Sequence, residues 1–141
     1  MAERILNIAA KTENLDQVLG FIDSFLEEQE CDMKAMIQID VAVEEMYVNI
    51  AHYAYGVEGG GDAEIRVELD ELYGKRAVRI TFIDSGIYYD PLAKEDPDIT
   101  LGAEERPIGG LGIFMVKKSM DDVRYEYTDG KNILTIVKKL V

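Results

Sequence analysis

Glu45 and Asn49 stand four residues apart in the segment Glu44-Glu45-Met46-Tyr47-Val48-Asn49, and on a helix that spacing puts both on one face. A carboxylate can take the proton of an attacking hydroxyl or water that lies within hydrogen-bond reach. An amide oxygen is a hard ligand of the kind Mg²⁺ accepts, and Mg²⁺ often takes only one or two protein groups beside phosphate oxygens and waters. Glu44 and Glu45 read equally well as solvated helix acids. Asn, however, is a poor helix former, and Asn49 sits between Val48 and Ile50, which favours a functional reason for it. Further on, Phe82-Ile83-Asp84-Ser85-Gly86 ends a strand-like run on an acid followed by glycine. The Asp84 carboxylate can accept a hydrogen bond from an exocyclic amine, although Asp-Ser-Gly is also an ordinary turn. The third group is Arg106-Pro107-Ile108-Gly109-Gly110-Leu111-Gly112, which runs into the apolar segment from Ile113. Glycines let backbone amides approach phosphate oxygens, and a helix starting there adds the positive end of its dipole. The segment is neither G-x-x-x-x-G-K-[ST] nor a full G-x-G-x-x-G, because Met115 falls where the last glycine would be. By itself it serves a plain turn as well as a phosphate. His52, the single histidine, lies three residues past Asn49 and reads most simply as packing beside Tyr53 and Tyr55.

Positioning these residues requires a defined set of elements. Residues 4–10 suggest a short first strand. Asn14 can cap a helix whose apolar residues Leu15, Val18, Leu19, Ile22, Phe25 and Leu26 recur at three and four, with Glu27-Glu28-Gln29-Glu30 as a solvated tail. A longer helix over residues 33–55 carries Met36, Ile39, Val43, Met46 and Ile50 as its core stripe, and Gly56 and Gly59-Gly60-Gly61 end it. Residues 64–69 and 77–83 alternate with period two and read as strands joined at Tyr73-Gly74-Lys75. Residues 87–110 hold all three prolines, Pro91, Pro97 and Pro107, and read as a long functional loop. A helix is expected from Ile113 to Met120, right after Gly112. Strands over 122–127 and 132–140 then meet at Asp129-Gly130, a strong hairpin signal. The order β-α-α-β-β-loop-α-β-β predicts an α+β two-layer sandwich, a mixed β-sheet with helices on one face, as a single domain over 1–141.

The 141 residues carry 28 acids against 15 bases, a net charge of -13. Such a surface repels phosphate backbones and anionic membranes, whose binding needs Lys and Arg, and steers basic protein surfaces towards it. Hydrophobic content of 48% suits a packed core and excludes disorder. Cys31, the single cysteine, allows no internal disulfide, and its acidic neighbours Glu30 and Asp32 disfavour a reactive thiolate. The start of the chain loses apolar character too early for a signal peptide, and no apolar run approaches the ~20 residues that span a bilayer. A soluble, cytoplasmic protein is expected.

Taken in this order, the segments resemble the GHKL ATPase superfamily, and within it the anti-sigma-factor serine/threonine protein kinases, which have the histidine-kinase-like (Bergerat) ATPase fold. Glu45-x-x-x-Asn49 with Tyr53-Ala54-Tyr55 is similar to the N-box. Asp84-Ser85-Gly86-Ile87-Tyr88-Tyr89-Asp90-Pro91 resembles the short adenine box, and Gly109-Gly110-Leu111-Gly112-Ile113-Phe114-Met115-Val116, followed by Ser119-Met120-Asp121, resembles the glycine box. Asn132-x-Leu134-Thr135 is similar to the last strand. The chain departs from many family members in having Tyr53 before Ala54-Tyr55, with His52 one position earlier. It also shows no phospho-acceptor histidine domain.

The resemblance implies ATP and Mg²⁺. Asn49 would hold the metal, Asp84 the adenine amine, and Gly86 would leave room for the base. Thr135 would support Asp84. Gly109, Gly110, Leu111 and Gly112 would form a lid around the phosphates. Glu45 would be the base for a partner's serine, and Arg106 would stabilise the γ-phosphate. It further implies a sigma factor and an anti-anti-sigma protein as partners, and a homodimer. A non-catalytic, ATP-responsive binding module is the alternative reading of the same residues.

Overall fold

The computed structural model describes residues 2–55, 60–93 and 111–140. In chain order the elements are β1 (Glu3–Ala9), α1 (Leu15–Glu28), α2 (Met33–Tyr53), β2 (Asp62–Leu72), β3 (Lys75–Asp84), α3 (Leu111–Ser119), β4 (Asp122–Thr128) and β5 (Lys131–Lys139). Short 3₁₀ turns at Thr12–Asn14 and Pro91–Ala93 complete them. The expected α+β order is observed. Asn14 precedes α1, but its side chain makes no cap and instead donates to the Ala9 carbonyl at 2.9 Å. Asp32 does cap α2, accepting from the Lys34 N–H at 3.3 Å. Helix α3 starts two residues earlier than expected and takes Gly112 into its first turn.

The five strands lie in the order β1-β2-β3-β5-β4 and every neighbouring pair is antiparallel. A mixed sheet was expected; chain parity explains the difference. Two helices separate β1 from β2, so the chain returns reversed, and α3 with β4 separates β3 from β5 in the same way. The hairpins use turns that demand positive φ. Tyr73 and Gly74 have φ of 51° and 77°, and Asp129 and Gly130 have 54° and 75°, the signs of a type I′ turn.

Helices cover one face of the sheet. The core lies between them, with Val18, Ile22, Phe25, Ile39, Val43 and Met46 from the helices against Ile65, Val67, Ile80, Phe82, Leu134 and Ile136 from the strands. On β5 the inward residues are Asn132, Leu134 and Ile136, while Ile133, Thr135 and Val137 line a groove on the uncovered face. Register places Asn132 directly opposite Asp84 on β3. No helix among the described residues is long and apolar enough to cross a membrane.

Candidate functional site

Helix α2 is held in one rotation by Tyr47, which is fully buried. Its hydroxyl lies 2.7 Å from the Lys11 carbonyl and 3.0 Å from that of Ala9, and accepts from the Lys11 N–H at 3.1 Å. Burial pushes the Tyr47 phenol pKa up. With Tyr47 facing the end of β1, Glu45 and Asn49 are half-buried on another face of the helix. The Asn49 Nδ2 donates to the Glu45 carbonyl one turn back at 2.7 Å. That bond orients the amide and leaves Oδ1 as its free ligand atom.

Two glycines mark close approaches to this helix. A Cβ at Gly112, in the first turn of α3, would run into the Glu45 carboxylate. The N-terminus of α3 therefore abuts the proposed base. A Cβ at Gly86 would run into the Ala54 carbonyl, to which the Ile87 N–H donates at 2.7 Å. That carbonyl is one of the acceptors a helix end leaves unpaired. The absent side chain at Gly86 thus lets the end of β3 dock on the end of α2, a role for the glycine besides the expected room for a base.

Asp84 and Asn132 are the two buried polar side chains among the described residues, at 5% and 6% exposure. Asp84 Oδ1 accepts from the Gly86 N–H at 3.0 Å and from Asn132 Nδ2 at 2.9 Å. Asn132 also donates to the Ile87 carbonyl at 2.8 Å and accepts at Oδ1 from the Tyr89 N–H at 3.2 Å and the Tyr125 hydroxyl. Burial is the main cause of the raised Tyr125 phenol pKa. Thr135, the residue expected to support Asp84, is on the opposite face of the sheet beside Thr81 and Arg124. Asn132 supplies the support instead. Its signal in the sequence was an Asn, a residue depleted in strands, inside a strand pattern.

Asn49 and Asp84 line one cavity, whose apolar walls come from Ile50, Phe82, Pro91 and Leu134. The cavity has a volume of about 30 Å³ and opens to solvent. Tyr89 stacks on Tyr53 at 5.1 Å between ring centroids, and Tyr88 sets its edge against Tyr125 and Tyr127. Tyr55, not singled out for a role beforehand, bridges the ends of α2 and β3. It donates to the Asp62 carbonyl at 2.5 Å and accepts from the Ser85 N–H at 2.9 Å.

The structure thus brings Glu45, Asn49 and Gly112 together and sets Asn49 and Asp84 on one cavity. Leu111 is the first residue of α3. Arg106, Gly109 and Gly110 lie outside the described residues. His52 is exposed and meets the edge of the Tyr53 ring at 6.1 Å. Cys31 is half-buried, and burial, with Asp32 and Asp40 nearby, raises its thiol pKa, as expected of an unreactive cysteine.

Comparison with known proteins adds to this geometry. Residues 8–138 match the family described as histidine kinase-like ATPase domain. The chain is 31% identical over 105 residues to the serine-protein kinase RsbW of Listeria monocytogenes, covering 72% of this chain and 64% of that protein. It is 24% identical over 134 residues to the anti-sigma F factor of Clostridium acetobutylicum, covering 95% of this chain and 90% of that one. The crystal structure of the RsbU and RsbW domains of Rv1364c from Mycobacterium tuberculosis superposes with a TM-score of 0.68 at 17% identity, over 99% of this chain and 33% of that one.

Proposed function

The chain belongs to the histidine kinase-like ATPase domain family, and from that premise we propose that it is an ATP-dependent serine/threonine protein kinase acting as an anti-sigma factor. It would phosphorylate a serine of an anti-anti-sigma protein and sequester a sigma factor, working as a homodimer. Relatives named serine-protein kinase RsbW and anti-sigma F factor support the class. The observation that carries the catalytic part is the meeting of Glu45 with Gly112 at the start of α3, on the helix face that also offers Asn49.

The residues present suit ATP and Mg²⁺. Among the described residues no group of three or more His, Cys, Asp or Glu could hold a metal alone. A metal that arrives with a triphosphate does not need one, and the Asn49 Oδ1 is the oxygen available to it. Mg²⁺ would neutralise charge on the transferring phosphoryl group. Asp84 would read the adenine amine. The phosphates would lie at the N-terminus of α3, where Gly112 keeps the approach open, with Gly109, Gly110, Leu111 and Arg106 completing the lid. Glu45 would take the proton of the serine hydroxyl as its oxygen bonds to the γ-phosphorus and the bond to the β-phosphate oxygen breaks, leaving ADP.

Labelled ATP and candidate anti-anti-sigma proteins test this directly. Transfer to a serine is expected. Glu45→Ala should lower the rate by about 10²-fold or more, the usual contribution of a general base, with ATP affinity little changed. Asp84→Asn should weaken ATP about tenfold or more, the worth of one charge-assisted hydrogen bond. ATP binding without transfer in the unaltered chain would leave a non-catalytic, ATP-responsive module. Absence of ATP binding would end both readings.

A further inference from the structure

We infer that Asn132 sets the selectivity of the cavity for a 6-aminopurine, by holding Asp84 so that Oδ2 is the oxygen left to read the base. The inference rests on the ATP reading proposed above. A buried polar side chain is costly unless its hydrogen bonds are made, and Asn132 makes all it can. Its two donors go to Asp84 Oδ1 and the Ile87 carbonyl, and its oxygen accepts from the Tyr89 N–H and the Tyr125 hydroxyl. An amide has two donors and one oxygen with two lone pairs, so Asn132 has no capacity left to bind a ligand itself. It acts on the site through Asp84 and through the chain from Ile87 to Tyr89.

The consequence for Asp84 is specific. Oδ1 already receives the Gly86 N–H and Asn132 Nδ2. Oδ2 is then the acceptor available to a base edge, and an ionised carboxylate offers acceptors only. A 6-amino group can donate to it. A 6-oxo group sets oxygen against oxygen and forfeits that hydrogen bond, which weakens binding about tenfold or more. If Asn132 were lost, Asp84 could swing away from the base edge or take a water between itself and the base, and the distinction would fade. Asn132 is thus a positioning residue, and Tyr125 in turn helps to orient its amide.

Calorimetric affinities for ATP and inosine triphosphate, which differ in the amino and oxo groups at this edge, measure that distinction. The unaltered chain should prefer ATP by about tenfold or more. Asn132→Val and Asn132→Thr have nearly the same shape and both suit a strand, but only Thr has a hydroxyl to donate to Asp84. Val should bring the ratio to within about threefold of one. Thr should restore much of the ratio while total affinity stays low, because the Ile87 and Tyr89 bonds are not replaced. A wild-type ratio in the Val chain, or a Thr chain no more selective than Val, overturns the inference, as does an unaltered chain that binds both nucleotides equally. Should the Val chain fail to fold, Tyr125→Phe carries the test. Its ratio should fall at least twofold, and an unchanged ratio overturns the inference. Binding of neither nucleotide by the unaltered chain takes the ATP reading down with it, a result distinguishable from every other.

Discussion

Gly86 and Gly112 both lack a side chain where one would collide, yet the obstacles differ in kind. At Gly86 the obstacle is the Ala54 backbone carbonyl; at Gly112 it is the Glu45 carboxylate, the far end of a flexible side chain. Backbone at a helix end yields only if the helix end moves, and overpacking of that kind costs about 1–3 kcal/mol. A carboxylate can swing aside, and Ala in place of Gly adds up to about 1 kcal/mol of helix propensity. Gly86→Ala should therefore lower the urea midpoint clearly. Gly112→Ala should leave it unchanged or slightly higher. The functional order is reversed: Gly112→Ala displaces the proposed base and should lower phosphoryl transfer about tenfold or more. Equal unfolding curves for the two variants would show that the close approach at Gly86 is not a constraint.

At the scale of elements, Tyr47 shows what holds α2 to the sheet. Its hydroxyl serves the Ala9 and Lys11 carbonyls and the Lys11 N–H, and Tyr47→Phe removes those bonds while each group keeps a second partner within the turn. A loss of about 1 kcal/mol in urea unfolding, the net worth of an intramolecular hydrogen bond, is expected, and a change below about 0.5 kcal/mol would assign the joint to apolar packing alone. Most elements were legible in the sequence because their periods were clean. The helical stripe of α2, the alternation in β2 and β3 and the Asp-Gly hairpin each had one reading. Strand β5 did not. Its outward set, Ile133, Thr135 and Val137, contains two apolar residues, and its inward set, Asn132, Leu134 and Ile136, contains a polar one. Alternation could not tell the faces apart, so nothing in the pattern checked the supporting role that the resemblance implied for Thr135. The sheet's sense was misread for another reason: parity depends on counting every crossing element, which local pattern does not do. Thr135→Ala, on the far face, should change ATP affinity less than about twofold, and a larger loss would restore the original assignment.

Across the whole molecule, the joint between α1 and α2 carries an acid pair that links stability to pH. Asp23 on α1 and Asp40 on α2 each have a buried carboxyl oxygen without a hydrogen-bond partner. Burial, then the neighbouring Asp23 carboxyl, through its charge and the hydrogen bond that a shared proton would make, push the Asp40 carboxyl up from 3.8 to about 7. A proton held between them makes the contact favourable, since two ionised carboxylates side by side repel. The sign follows from linkage. The folded chain keeps a proton that the unfolded chain has released, so this contribution is fully present below about pH 4 and is lost as pH rises towards 7. The net charge of -13 adds general repulsion in the same direction, but salt screens exposed charges far more than a partly buried pair. Urea midpoints measured in about 0.5 M salt, where the screening length is only a few ångströms, should therefore still fall between pH 5 and pH 8. Asp40→Asn puts a permanent amide donor beside Asp23 and should flatten that fall, whereas a slope unchanged from wild type would place the titration elsewhere. Because Asp40 lies on the helix that carries Glu45 and Asn49, a loosened α1–α2 joint at high pH should also show as weaker ATP binding, and Asp40→Asn should remove both dependences together.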